Sequence, residues 1–250
     1  MAEPIRVSLV SYLNSKPFLY GLQHYQSQNN ISISLDSPAV CAQKLLDKKV
    51  DIGLIPVAVI PQLNEYHIIG NYCIGAKGKV GSVILYSDVP LKDIKTVLLD
   101  YQSRTSVTLV KILAKHLWKI RPVWENATEN FETKISGATA AVIIGDRTFG
   151  LENKFAYTYD LAEEWEKLTG LPFVFACWVA NKKLPDNFVT EFNAALKFGI
   201  DNRPALIAEL SKENKYSTDI AHYLNEQIKY DFDEGRKKAL NLFLEYMKEL

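Results

Sequence analysis

Three hydroxyl side chains lie close together in the stretch LLDYQSRTS, where an apolar run gives way to a predicted helix. Ser103, Thr105 and Ser106 would bring their hydroxyls next to the free backbone N–H groups of the helix start. Such a helix start favours a carboxylate or a phosphate, through hydrogen bonds and through the helix dipole. One Ser or Thr is ordinary as a helix cap, and three in four residues exceed what capping needs. We therefore expect an anion site here.

A second polar stretch, SYLNSKPF, directly follows the apolar run IRVSLV near the amino terminus. Asn14 and Ser15 are common turn residues, so an Asx turn before a helix with an early Pro explains them without any ligand. The stretch nevertheless lies at the carboxyl end of the first predicted strand, where α/β proteins bind ligands. This position, opposite the hydroxyls of SRTS across a predicted cleft, favours a ligand contact for Asn14.

Two further stretches offer candidate residues. In IIGDR, Gly145 would allow close approach of a ligand to the backbone, and a surface salt bridge is the plainer interpretation of Asp146 and Arg147. Ser82, in the stretch GSVILYS, begins or precedes a strand at the hinge, where a strand-edge hydroxyl is ordinary. An aromatic lining of the cleft is a further hypothesis, although most aromatic residues serve the core, and its candidates are Tyr12, Tyr72, Tyr86 and Trp178.

Several common site types are missing from the sequence. It contains no GxSxG, GxxxxGK[ST], HExxH or GxGxxG motif, so no nucleotide cofactor is implied. The four histidines show no metal-ligand spacing, and the three cysteines form no CxxC pair. The cysteines are typical of small buried side chains in a reducing compartment. We expect neither a metal nor any other cofactor.

The composition limits the possible partners. The chain has 250 residues with 29 basic and 29 acidic side chains, so its formal net charge is zero. This balance gives no reason to expect a nucleic acid or a polybasic membrane contact. We find neither a secretory signal pattern nor an apolar stretch of about 18 residues, and we expect a cytoplasmic protein. The oligomeric state stays open.

The elements that must position these residues follow an α/β order. Strand and helix patterns alternate over roughly the first 60 residues and begin again after residue 93. Crossings at 88–93 and 170–178 would divide the chain into a first lobe, residues 1–88 and 178–250, and a second lobe, residues 89–177. The segment from Asp186 to Leu250 is predicted to be helical throughout. The sequence thus predicts two lobes joined by a hinge, with a cleft between them.

Four stretches then support a resemblance to a known family. VSYLNSKPF, VDIGLIPVA, GSVILYS and DYQSRTSVTL occur in this order. Together they resemble the chorismate dehydratase family of menaquinone biosynthesis, in its futalosine branch, and the likeness spans essentially the whole chain. A more distant relative is 1,4-dihydroxy-6-naphthoate synthase. The resemblance implies a two-lobed α/β fold of the type 2 periplasmic-binding-protein kind, with a hinge and an interlobe cleft.

The resemblance also implies an activity. The family is a hydro-lyase that converts chorismate into 3-enolpyruvylbenzoate, or 3-[(1-carboxyvinyl)oxy]benzoate, and water without a metal or redox cofactor. By position, Asn14 would act on the reacting ring or its hydroxyl, and Ser103, Thr105 and Ser106 would hold one carboxylate. The substrate-binding residues carried over in this way are Ser82, Ser103, Thr105, Ser106, Gly145 and Asp146.

Several alternatives stay open at this point. The proton acceptor could be the enolpyruvyl carboxylate of the substrate itself or Asp146. The second carboxylate could bind Arg104, Arg147 or Lys16. A non-enzymatic carboxylate-binding or sensor protein of the same fold is the first alternative function. The sister synthase is the second, although SYLNSK matches the dehydratase, since a Pro- and Asp-rich turn and a catalytic His would be expected of the synthase.

Overall fold

The computed structural model describes residues 3–26 and 31–250, which form two mixed β-sheets with helices packed around them. The strands are β1 (Ile5–Val10), β2 (Ile31–Asp36), β3 (Ile52–Pro56), β4 (His67–Ala76), β5 (Val83–Ser87), β6 (Thr96–Leu99), β7 (Val123–Asn126), β8 (Thr139–Ile144), β9 (Tyr157–Asp160), β10 (Phe173–Ala180) and β11 (Lys229–Asp231). The α-helices are α1 (Lys16–Gln26), α2 (Pro38–Leu46), α3 (Thr105–Leu113), α4 (Leu161–Thr169), α5 (Asp186–Asp201), α6 (Arg203–Lys212), α7 (Ile220–His222) and α8 (Glu234–Met247). No helix among these residues is both long and apolar enough to span a membrane.

The first sheet has the strand order β11-β4-β10-β3-β1-β2. β1 runs parallel to β2 and β3, while β10 lies antiparallel between β3 and β4. Every residue of β3 and of β10 is buried, which explains why both read as near-continuous apolar runs in the sequence. The carboxyl end of β1 leads directly into a short 3-10 helix, Leu13–Ser15, so the polar stretch SYLNSK lies at the edge of this sheet.

The second sheet has the order β7-β6-β8-β5-β9. β6 and β8 run parallel, and the chain turns sharply after each of them. After β6 it enters α3, and after β8 it enters the 3-10 helix Gly145–Thr148. The carboxyl ends of these neighbouring parallel strands therefore bring QSRTS and GDR to the same edge of the sheet.

The position of the first crossing differs from the prediction. The sequence pattern predicts the strand GSVILYS before the crossing, in the first lobe, but β5 pairs with β8 and β9 of the second sheet. By sheet membership the chain passes from the first lobe to the second between β4 and β5, and it returns between α4 and β10. An apolar run shows that a strand is buried, but pairing partners far away in the sequence decide which sheet it joins.

The sequence predicts helix throughout the carboxyl-terminal part, and this prediction is wrong. Between α7 and α8 the chain forms a π-helical turn, Tyr223–Gln227, and then the short strand β11. β11 pairs antiparallel with β4 at the edge of the first sheet. Three residues are too few for a period-two pattern to stand out from the helical residues around them.

Close helix packing fixes the segment that follows the SYLNSK turn. A Cβ atom on Gly21 of α1 would lie 2.0 Å from the carbonyl oxygen of Ala195, and one on Gly199 of α5 would lie 1.8 Å from that of Pro17. Both positions therefore need glycine, because only a missing side chain lets the two backbones approach so closely. The packing anchors α1 directly behind the 3-10 helix that carries Asn14.

Candidate active site

A small cavity of about 60 Å³ lies between the two lobes. Its walls come from the end of β1, the start of α3, the end of β8 and the crossing before β5. Six of the seven residues selected from the sequence line it, namely Asn14, Ser82, Ser103, Thr105, Ser106 and Gly145. Residues distant in the sequence thus meet in one cavity at the carboxyl ends of strands.

Asn14 forms the first-lobe side of the cavity. It is the middle residue of the 3-10 helix Leu13–Ser15, and its backbone carbonyl accepts a 2.9 Å hydrogen bond from the Tyr230 hydroxyl. Its side-chain oxygen Oδ1 is buried and has no hydrogen-bond partner among the described residues. A buried amide oxygen without a donor costs about 1–3 kcal/mol of stability, so a ligand that donates to it would recover that cost.

The start of α3 forms the second-lobe side. The Ser103 hydroxyl caps the helix by accepting a 3.1 Å hydrogen bond from the backbone N–H of Ser106. The Ser106 hydroxyl makes no hydrogen bond to any other described residue, yet Ser106 is only 3% exposed and lines the cavity. Its hydroxyl is therefore available to a ligand at the positive end of the helix dipole.

Thr105 serves a different purpose from its neighbours. Its hydroxyl donates a 3.0 Å hydrogen bond to the carbonyl of Phe175 in β10 and accepts a 3.3 Å bond from the backbone N–H of Ala58. Both partners belong to the first lobe, so the hydroxyl joins α3 to the opposite lobe. The predicted carboxylate contact of Thr105 is thus limited to its backbone N–H, since its hydroxyl proton is already in use.

Gly145 brings the two lobes together in another way. Its φ of +65° lies in the left-handed region, and a Cβ atom there would lie 2.5 Å from Cε2 of Tyr12. Glycine is required because the Tyr12 ring packs directly against this backbone. Tyr12 is the member of the proposed aromatic set that lines the cavity, and its hydroxyl donates to the side-chain oxygen of Gln102 in the second lobe.

Asp146 does not lie in the cavity wall. Both of its carboxylate oxygens accept hydrogen bonds from the backbone N–H of Leu13, at 3.0 and 3.1 Å. The carboxylate therefore caps the 3-10 helix that carries Asn14, from the opposite lobe. Burial raises the pKa of Asp146 to about 6, while the Leu13 N–H and the charges of Lys16 and Lys215 act to lower it.

Cations are also placed away from the cavity. Arg147 forms an ion pair with Asp100, whose side chain is fully buried, and it lies over the rings of Tyr101 and Phe131. Arg104 donates to the backbone carbonyls of Tyr101 and Ser103. Neither arginine lines the cavity, and neither does the third candidate, Lys16.

The cavity is therefore an uncharged but strongly dipolar site. Its described lining contains serine and threonine hydroxyls, the Asn14 amide and apolar side chains, with no acidic or basic side chain. The amino-terminal ends of α2 and α3 both border it, at Pro38 and at Thr105. No group of three or more His, Cys, Asp or Glu side chains positioned to hold a metal occurs in residues 3–26 and 31–250. Such walls can hold an anion through helix ends and hydroxyls.

A buried tyrosine that no sequence motif indicates also reaches this site. Tyr223, in the π-helical turn after α7, donates a 2.7 Å hydrogen bond from its hydroxyl to the Ser82 side chain. A lone tyrosine in a segment predicted as helical carries no signal of this contact. Only the fold brings it from 141 positions away in the sequence.

Comparison with known proteins places the chain among enzymes of one pathway. The sequence model of the menaquinone biosynthesis family matches residues 5–249. A chorismate dehydratase from Thermus thermophilus is 25% identical over 264 residues, which cover 97% of this chain and 95% of that protein. A chorismate dehydratase from Campylobacter jejuni is 31% identical over 131 residues, which cover 50% of this chain and 56% of that protein.

Solved structures confirm the predicted fold. A protein from Archaeoglobus fulgidus has a TM-score of 0.73 at 14% identity, covering 98% of this chain and 97% of its own. A Candida albicans protein described as having the generic periplasmic binding protein fold has a TM-score of 0.64 at 15% identity, covering 100% and 91%. The periplasmic aliphatic sulphonate binding protein of Escherichia coli reaches 0.66 at 14% identity, covering 100% and 87%. The chain therefore has the periplasmic-binding-protein fold.

Proposed function

The chain belongs to the menaquinone biosynthesis family, and from that premise we propose that it is a chorismate dehydratase. This hydro-lyase converts chorismate into 3-enolpyruvylbenzoate and water. Two relatives that carry this activity as their name, one of them matching nearly the full length, support the proposal. We further propose that it acts in the cytoplasm, with chorismate as its partner and with no nucleic-acid or membrane partner.

The reaction suits a site that positions its substrate and supplies little chemistry of its own. Chorismate carries two carboxylates, a ring hydroxyl and, on the neighbouring ring carbon that bears the enolpyruvyl ether, a C–H. Loss of that ring proton and of the hydroxyl makes the ring aromatic, so the substrate itself supplies the driving force. The lost proton and the lost hydroxide together make up one molecule of water. The protein must hold the reacting conformer and exclude bulk water.

The buried oxygen of Asn14 is the observation that carries the proposal. It lacks a donor among the described residues and borders the cavity between the lobes. The ring hydroxyl of chorismate is a donor of the required kind. A hydrogen bond from this hydroxyl to Oδ1 would fix the orientation of the hydroxyl. The amide N–H of the same side chain could then donate to the hydroxyl oxygen as it leaves. Asn14 would thus act on the group that leaves.

The start of α3 is suited to one carboxylate of the substrate. The free hydroxyl of Ser106 and the N–H groups of the first helical turn lie at the same side of the cavity. Ser103 keeps that turn in place by capping Ser106 N–H. Because no described cation lines the cavity, the second carboxylate is expected to meet dipoles rather than Arg104, Arg147 or Lys16. The second helix end, at Pro38 of α2, is one such dipole.

The substrate carboxylate is the proton acceptor that the geometry favours. No aspartate, glutamate, histidine or lysine is found in the described cavity lining. Asp146, the protein candidate, directs both oxygens to the backbone of Leu13. The enolpyruvyl group of chorismate is attached to the carbon that loses its proton, so its carboxylate can accept that proton without a residue from the chain.

A direct assay tests the proposed function. The purified protein is incubated with chorismate, and the products are followed by mass for the loss of one water and by absorbance for a new benzoate ring. We expect one equivalent of 3-enolpyruvylbenzoate for each chorismate consumed. Chorismate kept without protein under the same conditions is the control, because it measures spontaneous rearrangement and elimination.

The same assay separates the alternatives. Binding of chorismate without any turnover would contradict the enzyme and favour a carboxylate-binding or sensor protein of this fold. No binding of chorismate together with turnover of a cyclic futalosine product would favour the sister 1,4-dihydroxy-6-naphthoate synthase. Either result would overturn the proposed function.

A further inference from the structure

We propose that Tyr223 is a positioning residue for this reaction, which holds the Ser82 hydroxyl so that its proton points into the cavity towards an acceptor oxygen of the substrate. The inference rests on the proposed function and deepens it, because it adds a donor to the substrate site and names the residue that aims it. Neither residue has to react with the substrate for this role.

The hydrogen bond between the two hydroxyls defines the direction of the Ser82 proton. Tyr223 Oη donates to Ser82 Oγ at 2.7 Å, and both side chains are almost fully buried. A serine hydroxyl has one proton to give and two lone pairs to receive bonds. Since one lone pair is occupied by Tyr223, the Ser82 proton is left for another acceptor. Ser82 lines the cavity, and its hydroxyl makes no further hydrogen bond to a described side chain or backbone group.

The environment keeps Tyr223 in the role of donor. Burial raises the pKa of its hydroxyl well above the ordinary value, and the nearby charges of Asp146 and Asp160 act in the same direction. The hydroxyl of Ser82 and the amide of Asn14 act to lower it, which places both site residues next to the same phenol. The phenol therefore stays protonated at neutral pH and can donate to Ser82.

The ring of Tyr223 is held in place by packing. The Phe149 ring lies 5.2 Å from it between centroids, at an interplanar angle of 82°, in an edge-to-face contact. Phe149 follows the 3-10 helix of the second lobe that begins at Gly145. The carboxyl-terminal segment of the chain is thus fixed against the second lobe at the point where Tyr223 reaches the cavity.

The local backbone places a second side chain against Gly81, the residue before Ser82. The turn Tyr223–Gln227 is π-helical. This conformation is rare in proteins overall, but where it does occur it is often at a functional site. At its end, the Gln227 amide packs against Gly81, where a Cβ atom would lie 2.8 Å from it. Gly81 has a φ of +72°, so both its conformation and this contact require glycine. One turn of chain therefore supports two consecutive residues of the crossing, Gly81 and Ser82.

Tyr230 offers a useful contrast from the same segment. Its hydroxyl donates a 2.9 Å hydrogen bond to the backbone carbonyl of Asn14, so it holds the main chain in place rather than a side chain. Tyr223 is different because its partner is a hydroxyl that faces the cavity. The loss of the Tyr223 hydroxyl should therefore change how the substrate is held, beyond any change in stability.

The test is a double-mutant cycle on chorismate turnover, with Tyr223→Phe, Ser82→Ala and the two combined. We expect Tyr223→Phe to lower kcat/KM about tenfold, because Ser82 would lose its fixed direction, and Ser82→Ala to lower it at least as much. In the Ser82→Ala background, Tyr223→Phe should cause a smaller loss than in the wild type, since the Ser82 hydroxyl is gone. A merely structural role would give additive losses and a matching loss of stability.

The control is Tyr25→Phe, which removes another tyrosine hydroxyl, one that donates to Glu191 away from the cavity. It should keep the wild-type kcat/KM, and the thermal unfolding of every variant shows whether it is folded. A Tyr223→Phe enzyme with wild-type kcat/KM, or additive losses in the cycle, would overturn the role of Tyr223 while leaving the dehydratase intact. A wild-type protein that does not turn over chorismate would instead contradict the proposed function itself.

Discussion

The two walls of the cavity use similar polar residues in opposite ways. On the first-lobe wall, Asn14 presents a buried oxygen that has no partner among the described residues. On the second-lobe wall, the hydroxyls of Ser103 and Thr105 already bond to protein groups, and Ser106 is left for a ligand. The difference indicates that a polar side chain at the end of a strand is available to a ligand only when the fold leaves it unsatisfied.

The two walls would then serve different purposes, one in catalysis and one in binding. The first-lobe wall would act on the leaving hydroxyl, where an interaction gained in the transition state raises kcat. The second-lobe wall would bind a carboxylate that does not change during the reaction, which lowers KM. The contacts between the lobes, at Thr105 and Asp146, would hold both walls at a fixed separation. Variants of each kind can test whether the walls differ in this way.

The largest effect is expected for Asn14→Ala. The variant loses the amide that orients the leaving hydroxyl and donates to it as it departs. Removal of one such stabilising group lowers kcat by about 100- to 1,000-fold. Its fold should be kept, since the lost amide oxygen has no partner among the described residues. The measurement is kcat for chorismate under saturating substrate.

A matched control for Asn14 lies three residues earlier in the same turn. Ser11 is exposed, and the Ser11→Ala variant should keep the wild-type kcat. An Asn14→Ala enzyme with near-wild-type kcat would contradict the chemical role of the first-lobe wall.

Thr105→Val should mainly reduce stability. It keeps the shape of the side chain but leaves the Phe175 carbonyl without its donor and the Ala58 N–H without its acceptor. Unpaired buried groups of this kind cost about 1–3 kcal/mol in the free energy of unfolding. Denaturant unfolding measures the loss, and Thr105→Ser, which keeps the hydroxyl, should lose less. Equal stability of the valine and wild-type proteins would show that the link between the lobes contributes nothing.

Ser106→Ala and Ser103→Ala should separate binding from capping on one wall. The free hydroxyl of Ser106 is proposed to bond a carboxylate, so its loss should raise KM about tenfold with a smaller change in kcat. Ser103 caps the helix, so its replacement should lower the free energy of unfolding by about 1 kcal/mol. Steady-state kinetics and denaturant unfolding are compared for both variants. A raised KM for Ser103→Ala together with a lowered free energy of unfolding for Ser106→Ala would contradict the roles given to the two serines.

The smallest effect is a pH dependence caused by Asp146. Burial raises the pKa of its carboxyl from the usual 3.8 to about 6, so the folded protein binds this proton more tightly than the unfolded chain does. The contribution of Asp146 to stability therefore falls as pH rises from about 4 to about 6 and is constant above that.

Asp146→Asn removes this titration and keeps an oxygen that can accept from Leu13 N–H. The free energy of unfolding of the wild type, minus that of the variant, should therefore decrease between pH 4 and pH 6. Denaturant unfolding at several pH values measures the difference. The carboxyl of Asp160, whose pKa is also raised to about 6, is present in both proteins and cancels. A difference that rises with pH would contradict the proton linkage, and a variant without any dehydratase activity would reopen Asp146 as the base.

Much of the site was predictable because local sequence decides it. Ser103, Thr105 and Ser106 follow an apolar strand and open a helix, and both features can be read from neighbouring residues. Asn14 and Gly145 could be selected by the same rule, since each comes directly after a buried strand. The two-lobed fold followed from the alternating patterns and from four family stretches, and the structural relatives confirm it.

The rest depended on contacts between distant parts of the chain. Asp146 follows its strand as expected, but both of its carboxylate oxygens accept hydrogen bonds from the backbone N–H of Leu13, 133 positions earlier. Tyr223 carries no local signal, and β5 joins the second sheet because its pairing partners are β8 and β9. The hydrophobic periodicity of the sequence indicates which residues are buried, but it does not indicate which other residues they pack against.

The sequence by itself therefore determined the elements of this protein, the stretches that could bind an anion and the family to compare it with. Those properties depend on residues within one or two turns of each other. The tertiary structure alone decided which polar groups are used up by the protein and which stay free for a substrate. The physical reason is that a buried donor or acceptor must be satisfied, and in this cavity the partners come from the opposite lobe or from the far end of the chain.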